Sequence, residues 1–147
     1  MTVEALVRYL HEHIPLSRAM DVSVLEANAW RVELQAPLEP NINVHGTMFG
    51  GSTATLALLA AWSVLHLRLE AEGIANRLVI HRTEMEYLAP IEGTARALSR
   101  LGEEGWAAFV PTLERRGRAR LRVSAEVMFG DVVAGRLAGA FVAIAPR

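Results

Sequence analysis

Apolar and polar residues alternate along this chain, and the period of the alternation changes from segment to segment. Between Thr2 and His13, Leu6, Tyr9, Leu10 and His13 recur at helical spacing, which predicts a short amphipathic helix stopped near Pro15. Met20 to Ala27 is a strand candidate that turns at Asn28. From Trp30 to Ala36 the period is two: Trp30, Val32, Leu34 and Ala36 face one way, Arg31, Glu33 and Gln35 the other. Pro37 and Pro40 end that strand. Arg77 to Leu88 and Thr94 to Leu101 read as two more strands, joined by a turn around Pro90 to Gly93. The cleanest alternation runs from Arg118 to Phe129, with Ala119, Leu121, Val123, Ala125 and Val127 opposed to Arg118, Arg120, Arg122, Ser124 and Glu126. After a turn at Gly130 and Asp131, Val132 to Ala145 is almost continuously apolar. Between the fourth and fifth strands, Trp106, Phe109, Val110 and Leu113 keep helical spacing, but Pro111 limits that segment to a short or kinked helix.

One segment has no polar face. Ser52 to Leu69 reads STATLALLAAWSVLHLRL, with Ser52 or Thr53 as candidate N-cap and Gly73 as the stop, so the helix is expected over 52–72. Its least polar part, Thr53 to Leu67, is shorter than the roughly 20 residues a membrane span needs. An all-round apolar helix of this length belongs inside a protein. An antiparallel sheet curled around it supplies the burial, which gives an α+β fold in a single domain over 1–147, with the helix of 1–15 in front.

Composition narrows the function. A chain of 147 residues buries a substantial core. A net charge near −1 gives no argument for nucleic acid or a membrane as partner. The absence of Cys excludes disulfides, thiolate nucleophiles and zinc ribbons. His11 and His13 diverge on a helix and make a poor metal pair, and no metal site is expected. The N-terminus lacks a signal-peptide plan, so a cytoplasmic location is expected.

The chemistry concentrates in the loop ahead of the apolar helix, PLEPNINVHGTMFGGS, Pro37 to Ser52. From Gly46 to Leu69 there is neither Asp nor Glu. Hydrolysis of a thioester needs activated water, usually through a carboxylate or His. The helix offers neither near its start, since His66 lies roughly 20 Å along it. A step that only builds charge on a thioester oxygen needs no base; it needs donors aimed at that oxygen and a dry pocket. Asn43 can donate without ionising. Backbone N–H groups of Gly50, Gly51 and Ser52 sit at a helix start, Gly46 and Thr47 belong to the same mouth, and Met48 and Phe49 can exclude water. His45 can return a proton or brace the loop. Asn41 and Asn43 can equally fold the loop by bonding its backbone. Glu84 and Glu86 can project toward a site, pair with Arg82 or face solvent. The arginines from Arg115 to Arg122 form a solvated strand face or meet an acidic partner or a phosphate.

The run PNINVHGTMFGGS, together with EMEYLAPIEG at Glu84 to Gly93, resembles the hotdog-fold family of the YiiD C-terminal domain, from about Leu16 to the C-terminus. The resemblance implies a homodimer and a substrate carried as a thioester of phosphopantetheine, on acyl carrier protein or CoA. No separate cofactor is expected, because phosphopantetheine arrives with the substrate. It further implies decarboxylation of malonyl-ACP to acetyl-ACP at the start of fatty acid synthesis, with Asn43 as the critical residue. Two rivals stand beside this reading: a thioesterase using Glu84, Glu86 or an acid from the partner chain, and a non-catalytic acyl-thioester-binding module.

Overall fold

The computed structural model describes all 147 residues. Helices α1 (Val3–His13) and α2 (Pro15–Ala19) lead into strands β1 (Ser23–Ala27) and β2 (Arg31–Ala36). A 3-10 turn at Glu39–Asn41 precedes the long helix α3 (Gly50–Ala71). Then follow β3 (Arg77–Tyr87), β4 (Ala95–Arg100), α4 (Trp106–Arg116), β5 (Arg118–Phe129) and β6 (Val132–Ile144). The six strands form one antiparallel sheet in the order β1-β2-β4-β5-β6-β3. It curls around α3, the hotdog arrangement the apolar helix demanded.

The packing follows from the periodicities. Val32, Leu34 and Ala36 of β2 and Ala119, Leu121, Val123, Ala125 and Val127 of β5 are buried, as their alternation predicts. They meet Leu56, Ala57, Ala60, Ala61, Val64 and Leu65 of α3, all fully buried. Each such aliphatic side chain contributes about 1.5–3 kcal/mol on burial. α3 is also the one helix long and apolar enough to cross a membrane, and 67% of its most apolar window is buried inside the domain. A half-buried stripe remains along Thr55, Leu58, Trp62 and His66. α1 covers its far end: Tyr9 stacks on His66 with ring centroids 5.1 Å apart, and His66 stacks on Trp62 at 4.7 Å.

Several boundaries differ from expectation. Pro15 begins a second short helix, α2, because proline fits the first helical position. α3 starts two residues early, at Gly50, and neither Ser52 nor Thr53 caps it; the N-cap is Phe49, with no side-chain cap bond. Gly73, at φ +68°, does end it. Trp30 does not join the inward row. Asn28 Oδ1 accepts from the N–H groups of both Trp30 and Arg31 and holds a turn there, which leaves Trp30 half exposed. Pro111 does not shorten α4, which runs 11 residues with Pro111 on its exposed side. β4 pairs only with the Ala125–Met128 half of β5. α4 takes its place beside the other half, burying Trp106, Phe109 and Leu113.

Arg68, the lone cation of α3, is 5% exposed. Its guanidinium lies 3.6 Å from the Trp30 ring centroid and 4.5 Å from that of Trp106. Nε donates to Glu72 at 2.8 Å and Nη2 to Glu103 at 3.3 Å. This sandwich pins the start of α4 and the start of β2 to the end of α3. Replacing Arg68 with Ala removes the cation–π contacts and the packed stem while leaving two solvent-exposed carboxylates free to hydrate. The expected loss is about 2 kcal/mol, seen as a fall of several degrees in the thermal melting point.

Burial holds the His66 imidazole below its ordinary value of 6.5, partly opposed by Glu70. The Glu70 carboxylate is 3.7 Å away, too long for a hydrogen bond. The unfolded chain therefore binds this proton more readily than the folded one, so stability falls as pH drops through 6.5 and levels below the lowered value. Denaturant midpoints measured at a series of pH values should show this slope, and His66→Phe should remove it.

Candidate active site at the start of the central helix

The loop between the 3-10 turn and α3 closes on itself. Ile42 and Met48 form an antiparallel bridge, and the Asn43 N–H donates to the Thr47 carbonyl at 2.8 Å. Gly46 turns the chain at φ +81°, a conformation that favours glycine. The Asn43 side chain braces the turn: Oδ1 accepts from the N–H groups of His45 (2.8 Å) and Thr47 (3.1 Å), and Nδ2 donates to Thr47 Oγ1 at 2.8 Å. The second Nδ2 hydrogen has only the Met48 carbonyl, at 3.5 Å. Asn41 does a different job. It is 2% exposed, and its Nδ2 donates to the carbonyls of Met20 and Pro37, tying the loop to the turn before β1. His45 is exposed at the tip.

The loop delivers its last residues to the helix start. The Phe49 N–H donates to the Asn41 carbonyl, and the Phe49 carbonyl accepts from Ser52 and Thr53. The N–H groups of Gly50 and Gly51 donate to no group of the chain. They are the donors a helix leaves over at its N-terminus, where the peptide dipoles concentrate positive charge. A Cβ on Gly51 would stand 2.5 Å from the exposed Phe49 ring, which would have to swing aside to admit it. The Tyr87 hydroxyl donates to the Gly50 carbonyl at 2.9 Å and fastens this turn to the end of β3.

Beside this turn opens a pocket of about 400 Å³, lined by Met48, Gly50, Thr53, Tyr87, Ile91 and Ala134 among others. Its nine lining residues include no carboxylate and no histidine. The Met48 N–H donates to the Ile91 carbonyl at 2.8 Å, which joins the loop to the turn before β4. Of the residues singled out from the sequence, Met48 and Gly50 line the pocket. Asn41, Asn43, His45, Gly46, Thr47, Phe49, Gly51 and Ser52 lie outside the lining, in the loop and first helical turn next to it. Thr53, Tyr87 and Ala134 belong to the site and were not expected. The segment EMEYLAPIEG held the one available signal for Tyr87. Glu84 and Glu86 are exposed and form no ion pair. A larger hollow of about 540 Å³ lies between α4 and β5, but no residue of the loop reaches it.

Comparison with known proteins identifies the family and the fold. A family described as "Putative thioesterase (yiiD_Cterm)" matches residues 3–145. Among solved structures, a Chlorobaculum tepidum protein of unknown function is 29% identical, with a TM-score of 0.90 over 98% of this chain and 94% of that one. A Shewanella oneidensis protein described as a "putative thioesterase" is 25% identical, with a TM-score of 0.85 over 98% of this chain and 97% of that one. A "probable thioesterase" from Pseudomonas aeruginosa, 19% identical over 97% and 96%, shares the fold with a TM-score of 0.85. The match runs through the braced loop, the uncapped helix start and the whole sheet, and the chain belongs to the YiiD C-terminal family of hotdog-fold, thioesterase-like proteins.

Proposed function

We propose that the protein acts on a short acyl thioester of acyl carrier protein or CoA, and that its reaction is decarboxylation of a malonyl thioester to the acetyl thioester. One observation carries this reading. The pocket adjoins two unpartnered backbone N–H groups at a helix start, and neither a carboxylate nor a histidine lines it. In the reaction the bond between the carboxylate and the α-carbon breaks and carbon dioxide leaves. The electron pair passes into an enolate whose charge rests on the thioester oxygen. Water returns a proton to the α-carbon. The protein's part is to hold donors where that charge develops and to keep the carboxylate from being solvated.

Gly50 and Gly51 supply the backbone donors in this scheme. Asn43 offers its second Nδ2 hydrogen, the one with no close acceptor. Met48 and Tyr87 wall the pocket, and Tyr87 also fixes the Gly50 peptide. A second copy of the chain completes the cavity. Its support is the long edge strand β3, whose outer side pairs with nothing and exposes Val79 and Ile80, and the exposed Val44, Phe49, Tyr87 and Leu88 near the mouth. Unpaired strand edges and apolar patches of this kind favour association.

Incubation with malonyl-ACP, followed by mass spectrometry, should yield acetyl-ACP. Free malonate and bare carrier would make the protein a hydrolase, and saturable binding without product would make it a binding module. Asn43→Asp keeps the acceptor that braces the loop but removes the donor. It should lower turnover by about 10²-fold with little change in melting point. Asn41→Ala should instead cost about 2 kcal/mol of stability by stripping two buried hydrogen bonds. Light scattering should give twice the 16.1 kDa of one chain, and Ile80→Arg should shift the mass toward the monomer.

A further inference from the structure

The outer face of the sheet, away from α3, carries a concentration of positive charge that the loop chemistry does not use. On β5, Arg118, Arg120 and Arg122 point outward at successive exposed positions. Arg122 pairs with Ala140 of β6, and Ala140 pairs on its other side with Arg82 of β3. The two arginines therefore flank a methyl group in one row of the sheet, two strand spacings or about 10 Å apart at the backbone. Ala138, Gly139 and Ala140 form the floor between them, and the result is a cleft of about 240 Å³ edged by Arg82, Arg120, Arg122 and Glu84. Arg120 also borders an adjoining hollow of about 440 Å³ with Arg116, Arg118 and His81, which the β3 bulge at 80–82 turns outward.

The two hollows hold five arginines against one glutamate, a formal +4 on a chain whose net charge is −1. None of the five has a carboxylate within ion-pair distance, although arginines elsewhere on the sheet do: Arg31 and Arg96 pair with Glu33, and Arg136 with Glu126. Like charges on adjacent positions of a sheet face destabilise it. A planar guanidinium matches a phosphate with two parallel N–H donors. Arg82, Arg120 and Arg122 edge a cleft floored by alanine and glycine that has ample room for one such anion, whereas a broad acidic protein surface would have no need of a cleft.

We propose that Arg82, Arg120 and Arg122 form a binding site for a phosphate-monoester dianion on the outer face of the sheet. The site is separate from the helix start. Ala140 lies six residues along β6 from Ala134 of the pocket, about 20 Å. It stands on its own observations and does not depend on the decarboxylation reading. The dianion is either a free phosphorylated metabolite or the phosphate of a CoA tail.

The test uses the whole protein and inorganic phosphate, pyrophosphate, CoA and dephospho-CoA as probes, with thermal melting and calorimetric titration as readouts. Phosphate or pyrophosphate should raise the melting point above that in sodium chloride of equal ionic strength. The double variant Arg82→Gln, Arg122→Gln should lose at least about tenfold in affinity and, without anion, melt no lower than wild type, because mutual repulsion is relieved. Arg18→Gln, on exposed α2, should behave as wild type. If CoA binds and dephospho-CoA loses that share of affinity which the double variant also loses, the anion is the CoA tail; equal response to both with retained phosphate binding assigns it to a free phosphate. No stabilisation beyond chloride, or a double variant that binds phosphate as wild type does, overturns the site, and binding of an acidic protein without any phosphate response replaces it with a protein-docking face.

Discussion

A helix with no polar side must be enclosed, and that requirement organises this molecule. α3 cannot lie on a flat sheet, because half of its surface would remain in water. The sheet has to curl, and it does so with two long central strands, β5 and β6, whose inward rows are dominated by aliphatic residues. What the sheet leaves uncovered is finished by α1, through the stack of Tyr9 on His66 and Trp62. The single cationic side chain of α3, Arg68, appears one turn before the helix ends. There two tryptophans and two glutamates replace the water it has lost.

The same enclosure shapes the candidate site. A helix that is apolar to its first turn has no acidic side chain there to satisfy its leading N–H groups, so two of them stay available. Around them, side chains that could compete are spent on holding the loop: Asn41 on the carbonyls of Met20 and Pro37, most of Asn43 on Thr47 and His45. Tyr87 holds the Gly50 peptide from the other side. The outcome is a set of neutral donors fixed in position before any substrate arrives, which is the arrangement that favours developing charge on an oxygen without proton transfer.

Some features were legible from local pattern alone. The burial of Ala119, Leu121, Val123, Ala125 and Val127 follows from alternation, and the end of α3 follows from Gly73. The loop containing Asn43 and the paired glycines also stood out by composition. Other features were not legible, for identifiable reasons. Ser52 and Thr53 look like caps, but the Phe49 carbonyl takes both of their N–H groups in a tighter turn and starts the helix earlier. Trp30 fits the strand period, yet its best environment is a guanidinium from a residue 38 positions later. Asn41 and Asn43 are near-identical in sequence context; one is buried on long-range carbonyls and the other bonds its own loop.

Sequence alone determined that an unbroken apolar helix exists, that period-two strands enclose it, and that no acid lies between Gly46 and Leu69, because each of these is a matter of side-chain chemistry at fixed spacing. Only the tertiary structure decided which strand ends meet the helix start, that Tyr87 and Ala134 join Met48 and Gly50 around one pocket, and that Arg82 faces Arg122 across Ala140. Those pairings depend on strand order and register. They are set by the summed packing of the whole sheet, which no local run of residues encodes.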